Sequence, residues 1–148
     1  ANSVIYSRQL DFLAFATVFL VMIDLPTGDI TYSSAGHPPP LICGCDGRLE
    51  HLQAGQMPLG IVQTQQFEAH TSHLNDGDSL LLYTDGISEA KRGIELFETE
   101  GIENVVRRRC TSDASRLAKD LLRDATEWAE GRLRDDAAVV VVSRESVG

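Results

Sequence analysis

Positive charge is scarce in this sequence: 13 Lys and Arg stand against 22 Asp and Glu in 148 residues, a formal net charge of −9 with a pI near 4.8. Nucleic acid and anionic membrane surfaces call for a basic face, so the deficit argues against both as partners. Long apolar runs are lacking as well. The best, Phe15 to Ile23, has nine residues, well short of the roughly 20 that cross a bilayer as a helix. Cysteine is sparse and odd in number, at three. Cys43 and Cys45 lie two apart in a strand-like stretch where bridging is geometrically poor, and the plain reading is reduced thiols in the cytoplasm. His51 and Cys110 do not complete a zinc set. No secretory signal pattern, internal repeat, linker or low-complexity segment is visible, and the first residue is Ala rather than Met, which suggests an excised or processed piece of a longer protein.

What is present is the composition of an ordinary soluble domain, 43% apolar and 24% charged. We expect residues 1–148 to form one domain, able to bury roughly 70% of its unfolded surface without disulfides or structural metal. The charge is uneven. Residues 1–90 carry two bases, Arg8 and Arg48, against ten acids, net −8; residues 91–148 carry eleven bases against twelve acids, net −1.

The first 90 residues read mainly as strands. Asn2 to Leu10 suggests the tail of a helix; Phe15 to Ile23 is continuously apolar and predicts a central strand buried on both faces. Pro26 to Asp29 is a turn, and Ile30 to Ser34 alternates, making a hairpin. Gly36-His37-Pro38-Pro39-Pro40 breaks the ladder because proline has no N–H to donate. Leu41 to Cys45 and Arg48 to Leu52 form a second hairpin around Asp46-Gly47; Gln66 to Leu74 and Ser79 to Tyr83 add further strands, so that an antiparallel meander is expected. The last third differs. Ala114, Leu117, Ala118, Leu121, Leu122, Ala125, Trp128 and Ala129 line one helical face, capped by Ser112 or Asp113 and ended by Gly131. A weaker helix is expected from about Ile94 to Arg109, and Ala137 to Val142 predicts a buried strand. Strands, then helices, then one returning strand indicate an α+β layered fold with helices covering a mostly antiparallel sheet.

Chemistry concentrates at two strand ends. Tyr83-Thr84-Asp85-Gly86 ends a buried strand at a carboxylate, and Arg134-Asp135-Asp136-Ala137 sets two carboxylates before another strand. If those strands are antiparallel neighbours, Asp85 meets Asp135. Carboxylates brought together at a rim repel unless a cation sits between them, and oxygen-only ligands favour Mg²⁺ or Mn²⁺ over zinc. The plain alternative is a set of solvated turn acids, the reading given to Asp46-Gly47 and Asp76-Gly77.

Four segments bear on that choice: Ala35-Gly36-His37-Pro38-Pro39-Pro40, Met57-Pro58-Leu59-Gly60-Ile61, Gly77-Asp78-Ser79 through Thr84-Asp85-Gly86-Ile87-Ser88-Glu89-Ala90, and Asp135-Asp136 before a hydrophobic strand. In order and spacing they resemble the PPM-type protein serine/threonine phosphatases, in particular their bacterial SpoIIE- and RsbU-like branch. The resemblance implies an α-β-β-α sandwich of mostly antiparallel sheets flanked by helices. It implies two Mn²⁺ or Mg²⁺ ions activating a bridging water that attacks phosphoserine or phosphothreonine in line, with no protein nucleophile. Asp85 and Asp135 match metal ligands of the family, and Asp136 sits in the adjoining position. It further implies sigma-factor signalling, with a phosphorylated anti-sigma-factor antagonist as partner and an N-terminal sensor or receiver domain in the parent chain. The family's glutamate-glycine-glycine-aspartate segment and its second glycine-aspartate segment have no counterpart here, so the resemblance implies that the chain carries half a metal site and lacks the N-terminal part of the domain. It is therefore read as part of a phosphatase, or alternatively as a catalytically inactive binding module in a partner-switching pathway. Faces left open by absent strands would favour homo-oligomers.

Other candidates read more plainly. His37 is a turn residue beside prolines, with proton transfer at the rim as its alternative. His70 and His73, three apart on a strand, point to opposite faces. Met57 to Gly60 is a turn packed on the core, Arg107-Arg108-Arg109 a solvated helix end, and the Trp128 face core.

Overall fold

A computed structural model describes residues 1–7, 15–44, 46–109 and 113–145. Cys45, Cys110 and Ser112, with their expected strand, thiol and capping roles, lie outside the described residues. The chain divides into two compact units, residues 1–39 with 53–73, and residues 40–52 with 74–148.

The first unit holds helix α1 (Asn2–Ser7) and strands β1 (Val18–Ile23) and β2 (Asp29–Ala35). The second begins with β3 (Leu41–Cys43) and β4 (Leu49–His51); the chain then returns to the first unit for β5 (His70–His73). The sheet of the first unit has the order β1-β2-β5, antiparallel throughout. The β1–β2 turn is local chemistry: the Gly28 backbone N–H donates to the Asp24 carbonyl at 2.7 Å, and the φ of +83° at Gly28 is one that only glycine adopts freely.

Expectation fails at β1. Instead of a central strand buried on both faces, it is an edge strand whose residues alternate between exposed and half-buried, with Leu20 65% and Met22 66% exposed. The register explains which face is covered: Phe19, Val21 and Ile23 pair with Ser34, Tyr32 and Ile30 on the inward side, and Val18, Leu20 and Met22 fall on the other.

In the second unit the sheet has the order β4-β3-β6-β9, where β6 is Ser79–Tyr83 and β9 is Val139–Ser143, again antiparallel. Among the described residues the strands expected to form one meander thus fall into two sheets, and a two-stranded hairpin makes a third. Between β6 and β9 come α2 (Asp85–Ser88), the hairpin β7 (Lys91–Arg92) and β8 (Glu95–Leu96), α3 (Glu98–Arg109) and α4 (Ala114–Trp128). The hairpin takes the start of the expected Ile94–Arg109 helix because Gly93 adopts φ +61° and turns the chain, leaving Ile94 94% exposed at its tip. Leu41, Cys43, Leu81 and Tyr83 pack with Ile102, Val105 and Val106 of α3 and Leu117, Leu121 and Ala125 of α4 into one core. Leu117 and Leu121 are fully buried, each worth roughly 2 kcal/mol of transfer free energy.

Helix α4 follows its periodicity. The Asp113 side chain accepts the Arg116 backbone N–H at 3.0 Å, and the Gly131 N–H, at φ +86°, donates to the Thr126 carbonyl at 2.9 Å to close the last turn. β9 departs from the expected buried strand. It lies at the sheet edge, packing Val139 and Val141 on the core while Val140 and Val142 are exposed. No helix among the described residues is long and apolar enough to cross a membrane.

Candidate functional site

The second unit joins the two carboxylate-bearing strand ends. β6 and β9 pair with Tyr83 opposite Val139, and the ladder continues one step past the sheet. The Thr84 N–H donates to the Ala138 carbonyl at 3.1 Å, and the Ala138 N–H donates back to the Thr84 hydroxyl oxygen at 2.9 Å. That hydroxyl in turn donates to the Asp136 carbonyl at 3.4 Å. Thr84 thereby clasps residues 136–138 to the end of β6, a role nothing in its local sequence announces.

Gly86 completes the junction. A Cβ there would fall 2.8 Å from the Asp136 carbonyl carbon and 3.2 Å from the Ala137 Cα, and closer still to the Asp136 carbonyl oxygen. The glycine is needed because backbone passes against backbone. A special turn is not the reason, since the Gly86 φ lies outside the left-handed region.

Asp85, Asp135 and Asp136 are therefore brought to one rim, all three exposed. Each side chain has a local anchor where one is seen: the Asp85 carboxylate accepts the Gly86 N–H at 3.0 Å, and the Asp135 carboxylate accepts the Asp136 N–H at 2.8 Å. Behind the rim, burial pushes the Tyr83 phenol above its ordinary value; a hydrogen bond with Thr99 opposes the rise and the Glu103 charge adds to it. Exposed carboxylate oxygens suit a hard divalent cation in kind. In number they are few, for among the described residues no group of three or more His, Cys, Asp or Glu gathers around one point.

The remaining candidates lie elsewhere. In the first unit His37 Nδ1 is 2.8 Å from the Pro38 carbonyl oxygen and its ring is 5.9 Å from that of Phe19, the geometry of a turn residue. His73 pairs with Asp29 at 2.9 Å while the His70 ring packs at 5.5 Å from Tyr32. The Gly36 N–H donates to the Gln56 carbonyl at 2.7 Å, and a Cβ on Gly36 would strike the Pro58 ring, so the glycine-histidine-proline and methionine-proline-leucine-glycine segments touch. In the second unit Arg107 pairs with Glu103, and Arg108 and Arg109 pair with Asp124.

Known proteins resemble both the sequence and the shape. The family described as Stage II sporulation protein E (SpoIIE) matches residues 1–145. Phosphoserine phosphatase RsbU of Bacillus subtilis is 25% identical over 142 residues, 95% of this chain and 42% of RsbU. The solved PP2C phosphatase domain with a fragment of the regulatory domain of SpoIIE from Bacillus subtilis is 27% identical, with a TM-score of 0.83 over 96% of this chain and 41% of that one. The manganese-presoaked phosphatase domain of the same protein is 25% identical, with a TM-score of 0.72 over 87% of this chain and 56% of that one. The chain thus spans about half or less of the length of these relatives, and its fold is that of part of a PP2C phosphatase domain.

Proposed function

The chain belongs to the SpoIIE family, and from that membership we propose that residues 1–148 form part of a single metal-dependent phosphatase domain that hydrolyses phosphoserine or phosphothreonine on a regulatory protein. The observation that supports the reading is the close approach of Gly86 to the Asp136 backbone, at the end of the paired strands β6 and β9. Asp85 and Asp135 would hold the divalent ions, with Asp136 adjoining. When bound, two Mn²⁺ or Mg²⁺ ions supply an activated water and neutralise phosphoryl oxygens. The chain's own contribution is alignment: Thr84 and Gly86 fix the separation of the two carboxylate-bearing ends, and the hydrogen bonds from Gly86 and Asp136 N–H groups orient two of the carboxylates. An anti-sigma-factor antagonist phosphorylated on serine is the substrate class we propose, in the cytoplasm. The test is Mn²⁺-dependent phosphate release from a phosphoserine protein by the full-length parent, abolished by Asp85→Ala. Undiminished release by that variant would sink the proposal.

A second reading, a catalytically inactive binding module in a partner-switching pathway, is favoured by the small number of clustered ligands among the described residues. Calorimetric titration of the chain with Mn²⁺ separates the two, since tight two-site binding contradicts an inactive module.

A further inference from the structure

In a chain with 22 acids and 13 bases, cations should find partners easily, and among the described residues most do. Arg48, Arg92, Arg107, Arg108, Arg109, Arg116, Arg123 and Arg144 all form ion pairs. Among the described Lys and Arg residues, Lys91, Lys119, Arg132 and Arg134 form none, and three of these four converge on one cleft of about 390 Å³. Its wall is built by the turn that leaves α4, where Glu130 and Gly131 take φ of +56° and +86°, and by the β7–β8 hairpin. Arg92 is committed elsewhere, lying 3.7 Å over the Trp128 ring and paired with Glu95, which leaves Lys91 to face the cleft from that side.

Both cleft walls grow out of the carboxylate rim. Arg134 directly precedes Asp135, about 3.8 Å away along the backbone, and Lys91 follows Asp85 by six residues, at most about 20 Å. We propose that this cleft is a subsite for acidic side chains of the protein substrate, lying within about six extended residues of the phosphoserine. The proposal rests on the phosphatase reading. Glu130, which also lines the cleft, disfavours a compact dianion and leaves room for separate carboxylates, each meeting one cation. The net charge of −9 disfavours a long polyanion such as nucleic acid, whose phosphates would extend over the acidic remainder of the surface, more than a few carboxylates confined to the cleft.

Two synthetic phosphoserine peptides, one with three Glu near the phosphoserine and one with Gln in their place, test the idea with the full-length protein and Mn²⁺. The acidic peptide should show about tenfold higher kcat/KM. Lys91→Ala and Arg132→Ala should each shrink that preference about two- to fivefold, Arg132→Lys should retain it, and Arg132→Glu with Arg134→Glu should reverse it. Raising salt from about 0.05 to about 0.5 M should erode it, because Arg132 and Arg134 are exposed and Lys91 is only half-buried. Fluorescence anisotropy of the unphosphorylated acidic peptide on the same proteins gives a readout independent of turnover. If both peptides are hydrolysed equally, or the preference survives the double reversal, the subsite is refuted while the phosphatase reading stands. If neither is hydrolysed but the acidic peptide binds and the reversal abolishes binding, the phosphatase reading falls and acid recognition by the cleft stands.

Discussion

Replacing Gly86 with alanine probes the junction on which the site depends. The new methyl would enter backbone atoms, 2.8 Å from the Asp136 carbonyl carbon and 3.2 Å from the Ala137 Cα. Ordinary carbon contacts begin near 3.5 Å, and no side chain can rotate out of the way, so the 136–138 segment must retreat from the end of β6. Overpacking of this kind costs about 1–3 kcal/mol. The retreat also weakens the two hydrogen bonds between Thr84 and Ala138, each worth about 1 kcal/mol. A total near 3 kcal/mol follows, or roughly 6–12 °C in Tm for a chain of this size. Trp128, the one tryptophan, packs against the core of the same unit, so urea unfolding followed by its fluorescence reports the right element. Gly77→Ala is the control: open space surrounds its Cβ position and only its φ of +85° is strained, so it should cost about 1 kcal/mol. A Gly86→Ala variant as stable as wild type, or one no worse than Gly77→Ala, would falsify the close-approach argument.

Thr84→Val keeps the shape and removes the hydroxyl clasp; a loss of about 1 kcal/mol by denaturant titration is expected, and no loss means the clasp is idle. Asp113→Ala removes the α4 cap and should lower stability by about 1 kcal/mol, measured in the same way, whereas Asp113→Asn should cost less. The raised Tyr83 pKa implies that its neutral phenol favours the fold fully below pH 10.0, the unfolded value, and that this stability drains as pH climbs from there through the folded value. Tyr83→Phe should therefore flatten the alkaline arm of the stability profile; an unchanged slope above pH 10 would contradict the burial argument.

Much of the second unit can be read from residue order. The spacing of Leu117, Leu121 and Ala125 declares α4, and the strand ends at Asp85 and Asp135 are adjacent because antiparallel pairing leaves them nowhere else to go. Burial was harder. A run such as Val18 to Ile23 looks the same whether one face or two is covered, because side-chain period records which residues share a face and not what lies opposite it. The division of the meander into separate sheets is implied by the family resemblance but not by residue pattern, since β5 pairs with β2 and β6 with β3 across intervening chain that no local pattern marks. Thr84 and Gly86 escaped for a third reason: their work is done against residues 50 or more positions away, by a hydroxyl and by an absent methyl. The cations of the cleft stand out only against the ion pairs made by the other described arginines, which sequence alone does not reveal.

The pairing of β6 with β9 also sets a clock. Tyr83 and its partner Val139 are 56 positions apart, so at about 5–20 residues per second the ribosome delivers the second strand roughly 3–11 s after the first. For most of that interval Asp85 is already synthesised while Asp135 is not, and the edge of β6 that β9 will cover stands open. The carboxylate rim therefore cannot exist before β9 has been made. Its assembly and the closing of that sheet edge are a single event, which makes any cation the rim binds a report on a chain extended past β9.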